Sequence, residues 1–435
     1  MSVPPRPETA ERSRAERSLA GTPLEVGAVF LRLGLTSFGG PVAHIGYFRR
    51  AFVEQRRWLT EAQFAQLLAI SQFLPGPASS QLGFGIGLLR AGGLGAIAAF
   101  VAFTLPSALL LFAFSEVSAS LNTPLGNSVM HGLKLTAVAV VAHGVIRMAR
   151  LMTPDATRIV IAGLVVVLTL TVRAPWMQLL VIALGAISGA VLLRTPTRAG
   201  TAAATATGTA TGTATSTAAK SSRLDVRYGR GISALAVLLF GVGLALAFAW
   251  PTRAPVLGSI FAAFFRAGAM VFGGGHVVLP LLEQSVVTPG WVSHEAFLAG
   301  YGAAQVIPGP MFSLAAFLGA QVPTGASPAL GALTATLSVF APGFLLLIAT
   351  LPVWSRLTSL PRAMHALAGI NAAVVGLLAA ALIDPVGRAA ISGVADAGIA
   401  LVALALLWDD RRSTLWGAAW CVLAAVGLGL LVPAA

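Results

Sequence analysis

Two short stretches, QFLPGP at 72–77 and QVIPGP at 305–310, place a glycine between two prolines inside long apolar runs. Proline has no N–H to donate and its ring collides with the preceding turn, while glycine adds freedom, so each PGP ends one half-helix and lets another begin. In hydrocarbon the freed backbone groups would go unsatisfied, and irregular backbone is tolerated there only where it is buried in protein or lines a cavity. Half-helices starting at Ala78 and Met311, and after GGP at 39–41 and GGG at 273–275, present free N–H groups and positive dipole ends. That chemistry suits an oxyanion.

The residues expected to form such a site fall into three kinds. Gly39, Gly40, Gly273 and Gly274, with Pro75, Gly76, Pro77, Pro308, Gly309 and Pro310, allow close backbone approach. Gln72, Ser79, Ser80, Gln305 and Ser313 offer neutral hydrogen bonds. Arg32 and Arg266, one per half inside apolar segments, are expected to attract the anion, with snorkelling to an interface as the competing role. His44 and His276 flank the glycine breaks and could relay protons, although histidines satisfied within a fold are commoner. Glu54, Glu61, Glu283 and Glu295 read as loop residues paired with nearby arginines. A dianion fits this set better than a cation, since no intramembrane carboxylate cluster is present. No catalytic residues, metal ligands or cofactor site are expected, and GFGIG at 83–87 follows no strand that would make it a dinucleotide fingerprint.

The elements that must hold these residues are membrane helices. Of 435 residues 57% are hydrophobic and 10% charged, more apolar surface than a soluble domain can hide. Runs able to cross a bilayer, which takes roughly 20 residues of helix, recur from end to end. The first 23 residues are polar and basic without a secretory pattern, and are read as a cytoplasmic tail. Cys421 stands alone, which excludes an internal disulfide framework. The net charge of +13 resides in arginines between apolar runs, as positive-inside topology requires, so nucleic acid is not a partner.

The chain is also duplicated. FLRLGLTSFGG at 30–40 matches FFRAGAMVFGG at 264–274, WLTEAQF at 58–64 matches WVSHEAF at 291–297, the PGP motifs match, and Pro106 matches Pro342, all at nearly constant offset. Residues 24–193 form the first repeat and 258–435 the second. Between them lie a Thr/Ala/Gly-rich basic linker at 194–230, expected to be flexible and cytoplasmic, and a connecting span at 231–250. Equivalent positions are separated by an odd number of segments, so the repeats are inverted. One loop, RRAFVEQRR at 49–57, lies with the other arginines only if the segments on both sides of it re-enter the face they came from. The fold class expected is an all-α polytopic membrane protein of two homologous inverted-topology repeats with Gly/Pro-broken or re-entrant helices. Paired breaks of this kind point to a transporter's binding site.

The stretch GLTSFGGPVAHIGYFRRAFVEQRRWLTEAQFAQLLAISQFLPGP at 34–77, with its weaker copy at 265–310, resembles the chromate ion transporter family in its long form with both halves. The resemblance covers the chain apart from the tail and linker. It departs from the pattern where the second copy has GGGH in place of GGPV. It implies a secondary transporter exporting chromate across the bacterial inner membrane and conferring resistance, with the lipid bilayer as solvent and a homodimer possible. Sulfate, another tetrahedral dianion, is the nearest alternative substrate. A membrane-embedded enzyme acting on lipid phosphate or chromate is the alternative of another class.

Overall fold

An apolar segment in hydrocarbon satisfies its peptide groups by folding as helix, and a segment broken by glycine and proline must satisfy the remainder through its neighbours. The computed structural model describes residues 21–118, 123–172, 177–193, 224, 228–251, 254–272, 278–354, 360–408 and 414–431, and among these all regular structure is helical. The tail at 1–20, nearly all of the linker, and Gly273, Gly274 and His276 lie outside the described residues.

The first repeat begins with α1, Pro23–Thr36, capped by the Thr22 hydroxyl on the Glu25 N–H and stopped at Ser37, where the backbone becomes extended. Gly39 and Gly40, with φ of +101° and +72°, reverse the chain into α2, Gly40–Arg49, which runs on as a π-turn, Arg50–Gln55. A capping box at Thr60 and Gln63 then starts α3, Glu61–Phe73, which ends at the PGP motif. The following helical run, Ala78–Ser118, departs from helical geometry at Ala91 and Gly92 (φ +68°), dividing it into α4 (residues 78–90) and α5 (93–118). Next come α6, Pro124–Met152, α7, Ala156–Thr171, and α8, Met177–Leu192.

Ring and backbone contacts fix the direction of these pieces. Gly21 N–H donates to the Arg90 carbonyl at 3.1 Å, and the Arg90 guanidinium lies 4.9 Å from the Trp58 ring. Phe52 stacks on Phe30 at 5.0 Å. The loop after α2 is therefore at the end of the molecule where α1 begins. A Cβ on Gly85 would lie 2.8 Å from a Leu67 methyl, so α4 runs back along α3. Both pairs are hairpins that enter and leave by one face, with the glycine break at the tip of the first and PGP at the tip of the second. This is the arrangement in which the arginines at 49–57 join the rest of their face.

The second repeat follows α9, Arg230–Ala249, which has no counterpart among the described residues of the first. Its elements are α10, Leu257–Met270; α11, Val278–Val286; α12, His294–Val306; a single 3₁₀ turn, Met311–Ser313, and α13, Leu314–Gln321; α14, Pro328–Thr350; α15, Pro361–Ala381; α16, Val394–Leu407; and α17, Thr414–Leu431. Gln321, at the end of α13, donates to the Ser115 carbonyl at 3.0 Å near the end of α5. The second pair of hairpins therefore opens on the opposite face, and the repeats are inverted.

Close packing uses glycine, as helix contacts in membranes do. A Cβ on Gly34 would stand 2.7 Å from the Phe103 carbonyl oxygen, and its counterpart Gly268 abuts the Val339 carbonyl. The repeats also interlock: α15 packs on α7 and α8, with Gly369 against Gly185 and Gly189, while α6 packs on α16 and α17, with Gly132 against Cys421 and Val422. Five helical stretches, Ala78–Ser118, Pro124–Met152, Arg230–Ala249, Pro328–Val353 and Pro361–Ala390, are long and apolar enough to cross a membrane, and shorter apolar helices accompany them. The chain is a multi-pass membrane protein.

This topology is testable with cysteines at exposed positions in a Cys421→Ser background. A membrane-impermeant maleimide should label Arg56→Cys from the same side as Leu24→Cys, and Thr288→Cys from the other. Labelling of Arg56→Cys and Thr288→Cys from one side would overturn the paired re-entrant hairpins.

Candidate functional site

Each PGP glycine finds its backbone partner in the other repeat. The Gly76 N–H donates to the Val271 carbonyl at 2.7 Å, and the Gly309 N–H donates to the Ser37 carbonyl at 3.0 Å. Ser37 and Val271 are equivalent residues at a constant offset of 234, the C-caps of α1 and α10, each followed by a phenylalanine and then the glycine break. The tip of every PGP hairpin therefore sits at the broken end of the opposite repeat's first helix. Gly76 and Gly309 have φ of +123° and +110°, which only glycine adopts without strain. Each also packs on the residue after the proline inside the other repeat's long helix: Gly76 on Gly343, Gly309 on Ser107.

The two junctions share this geometry and differ in their side chains. At the first, the buried Ser107 hydroxyl donates to the Thr104 carbonyl at 2.9 Å and accepts from Ser313 across a 2.6 Å contact between the repeats. His44 Nε2 lies 3.2 Å from the Ser37 carbonyl, with its ring against Phe103. Ser37 Oγ, His44 Nδ1 and Thr104 Oγ1 are buried here without a hydrogen-bond partner among the described residues. Beside them the N-terminus of α2 opens at Gly40, where an added Cβ would meet no described atom within 4 Å. At the second junction, Gln81 Nε2 bridges the Pro75 and Gly343 carbonyls at 3.1 and 2.9 Å, leaving Gln81 Oε1 and Ser80 Oγ buried without such partners. Between the junctions α5 and α14 cross, Phe100 meeting Phe340 and Phe344 at 5.1 and 4.9 Å and Phe84 stacking on Phe344 at 4.3 Å. Buried polar groups are normally paired, so unpaired atoms gathered beside the N-termini of α2 and α4 are the chemistry of a candidate site for a polar ligand.

The structure brings some of the expected residues together and leaves others apart. Gly39, Gly40, Pro75, Gly76, Pro77, Pro308, Gly309 and Pro310 meet at the junctions, and Ser79 and Ser313 are buried beside them. Gln305 is buried and donates to Met311 Sδ at 2.8 Å, whereas Gln72 is exposed. Arg32 is exposed on the outer side of α1, whose inner side carries Val26, Phe30 and Gly34. Arg266 occupies the same place on α10, its Nε donating to the Ala262 carbonyl at 3.1 Å and its guanidinium 5.8 Å from the Phe248 ring of α9. Ser107, Gln81 and Thr104 are junction residues that sequence reasoning did not single out. The position of Ser107 directly after Pro106 was the available signal.

Gly309→Ala should be destabilising by about 2 kcal/mol or more, because it adds backbone strain to a clash with Ser107. Thermal unfolding in detergent should show partial recovery in Gly309→Ala/Ser107→Gly, which removes the clash and not the strain. Gly76→Ala, facing backbone at Gly343, should have no such single-residue relief.

Comparison with known proteins agrees with this architecture. A family model described as Chromate transporter matches residues 24–190 and 258–430. The chain is 32% identical over 375 residues to the chromate transport protein of Pseudomonas aeruginosa, covering 82% of this chain and 79% of that protein. It is 28% identical over 359 residues to the probable chromate transport protein of Synechococcus elongatus, with coverage of 81% and 82%. Identity to the chromate transport protein of Cupriavidus metallidurans is 27% over 386 residues, with coverage of 88% and 87%. No solved structure matches the chain. Both halves, each with its glycine break and PGP, fall inside the matched stretches, and the chain belongs to the chromate transporter family in its two-repeat form.

Proposed function

We propose that the protein is a secondary transporter that carries chromate outward across the bacterial inner membrane, holding the dianion at the glycine and proline junctions. The observation that carries this reading is the pair of cross-repeat junctions, where helix N-termini and unpaired buried hydroxyls converge from hairpins opening on opposite faces. Inverted repeats meeting at such breaks allow a site to be reached alternately from each side. The named activity of the relatives supplies the substrate.

Direction is supported by the distribution of charge. The face on which α1 begins carries Arg49, Arg50, Arg56, Arg57 and Arg90, and is the cytoplasmic face by the positive-inside rule. Such a mouth raises the local concentration of an anion. The opposite face presents Asp384, paired with Arg388, and Asp396, paired with His131, near the second repeat's hairpins. Moving a dianion out of a negative interior is favourable by roughly 4–5 kcal/mol per 100 mV, twice the single-charge value, so the membrane potential alone can drive export. Recognition is assigned to the junction groups, with Arg32, exposed on α1, and Arg266, turned towards α9, acting from outside them.

The test is uptake of labelled chromate into inside-out proteoliposomes with and without an imposed potential, with unlabelled sulfate as competitor. Potential-driven accumulation is expected, and Ser37→Ala, which removes a buried hydroxyl with no hydrogen-bond partner among the described residues, should lower it on the order of tenfold while leaving thermal stability nearly unchanged, the effect of one hydrogen bond to a charged ligand. Arg32→Gln should retain most of the flux. No flux from folded protein would remove chromate as the substrate.

A further inference from the structure

The inverted duplication places one pair of side chains at equivalent positions on opposite faces, and the sequence gives the two pairs different chemistry. On the arginine-rich face, Arg49 at the end of α2 bonds Glu61 at the start of α3 through Nε at 2.8 Å, and Glu54 through Nη1 at 2.8 Å, tying the two hairpins together at their base. At the offsets of 234 and 233 that relate the repeats, the equivalents of Arg49 and Glu61 are Glu283 and His294. They again meet, Glu283 Oε1 lying 3.3 Å from His294 Nδ1. The acid and the base have exchanged places, and the permanent guanidinium charge has been replaced by a group that titrates.

The surroundings decide what this pair does. The side chains of Glu283 and His294 are 13% and 20% exposed, well below the 31% and 59% of Arg49 and Glu61. Asp384, in the turn after α15, faces Glu283 and is itself held by Arg388 at 3.2 Å. Lys134 of α6 and Glu295 of α12 face His294, and the Pro385 carbonyl adjoins its ring. His131, one turn before Lys134, is engaged with Asp396 at 2.8 Å. A carboxylate beside Asp384 in this half-enclosed place is repelled, whereas a protonated Glu283 donates its O–H to His294 Nδ1 and closes the contact.

We propose that Glu283 and His294 form a proton-binding latch at the outer mouth of the transporter, closed when Glu283 carries a proton and released when it loses one. The assignment of this mouth to the outside rests on the transport reading above. Burial and the neighbouring Asp384 push Glu283 from its ordinary 4.5 up to about 8, and burial lowers His294 below its ordinary 6.5, which leaves it neutral at pH 7 and above. In the open latch, with the carboxyl hydrated, Glu283 returns towards its ordinary value. The closed state therefore holds the extra proton: closure is favoured below about 8 and loses that advantage as pH rises through it. At neutral pH, closing after the dianion leaves takes up close to one proton from the outer side. The Arg49–Glu61 tie on the inner face has no such dependence near neutrality.

The experiment reads the latch without needing transport. Val286, fully buried behind the latch, and Thr288, exposed at the loop, are each replaced by cysteine in a Cys421→Ser protein reconstituted in liposomes. Alkylation by an impermeant maleimide is followed from pH 7 to 9, with Thr288→Cys correcting for thiol ionisation. The ratio of Val286→Cys to Thr288→Cys reactivity should rise about tenfold, the change in protonated fraction across a group titrating near 8. It should be flat in Glu283→Gln, and flat in Glu283→Arg/His294→Glu, which copies the inner pair and has no proton to lose in this range. A flat ratio in the parent, or the same rise in either variant, overturns the latch. Loss of chromate flux with the ratio change intact would count against the transport reading alone.

Discussion

A backbone N–H or carbonyl stranded in hydrocarbon costs several kcal/mol, and the rest of this structure follows from how four broken helices avoid that cost. The bonds from Gly76 to Val271 and from Gly309 to Ser37 satisfy each PGP tip with the frayed end of a helix in the other repeat. Neither repeat can complete its own breaks. The interlocking of α15 with α7 and α8, and of α6 with α16 and α17, keeps the halves in the register those bonds need. Because each bond joins hairpins opening on opposite faces, in the proposed transport cycle the opening of either mouth strains or exchanges it. A junction of that kind favours discrete arrangements over a continuous slide.

The glycine and proline breaks, the duplication and its inversion were legible because they depend on residue type and spacing alone. Re-entry was legible through charge, since the arginines at 49–57 had no other place consistent with their neighbours. The direction of Arg32 was available in the periodicity: Val26, Phe30 and Gly34 define the inner side of α1, and a residue two positions from Phe30 lies across the helix from it. A charge within an apolar run outweighed that geometry in the reading. The partners of the junction were not legible, because a bond between residues 76 and 271 leaves no local pattern. For Ser107 the only local signal was its place after Pro106, and its part depends on Gly309 of the other repeat having no side chain.

Duplication with inversion gives both faces the same scaffold, so any preference for one direction has to come from divergence of side chains. The divergence lies at equivalent places. Ser107 in one junction stands where Gly343 stands in the other; Ser313 is paired across the repeats while Ser80 is not; Gln81 bridges carbonyls where Leu314 stands in the second copy. At the mouths, Arg49 with Glu61 faces one side and Glu283 with His294 the other. Backbone geometry, which depends on glycine and proline, is preserved, and the chemistry around it differs.

Glycine has a second role that explains how hairpins can fill the middle of the molecule at all. Lipid is as apolar as leucine, so helices in a membrane gain little from burying apolar side chains and associate through close contact. Gly87 meets the Gly95 carbonyl where α4 turns back along α5, and Gly319 meets the Gly331 carbonyl where α13 meets α14. These equivalent contacts press each half-length helix onto the long helix that follows it. Each PGP hairpin is thereby backed along one arm by a spanning helix, and its tip, the part with the fewest bonds of its own, is held from across the repeat boundary. The proline–glycine–proline break is itself that tip, so the residues that end each half-helix are the same ones that bond the other repeat through Gly76 and Gly309.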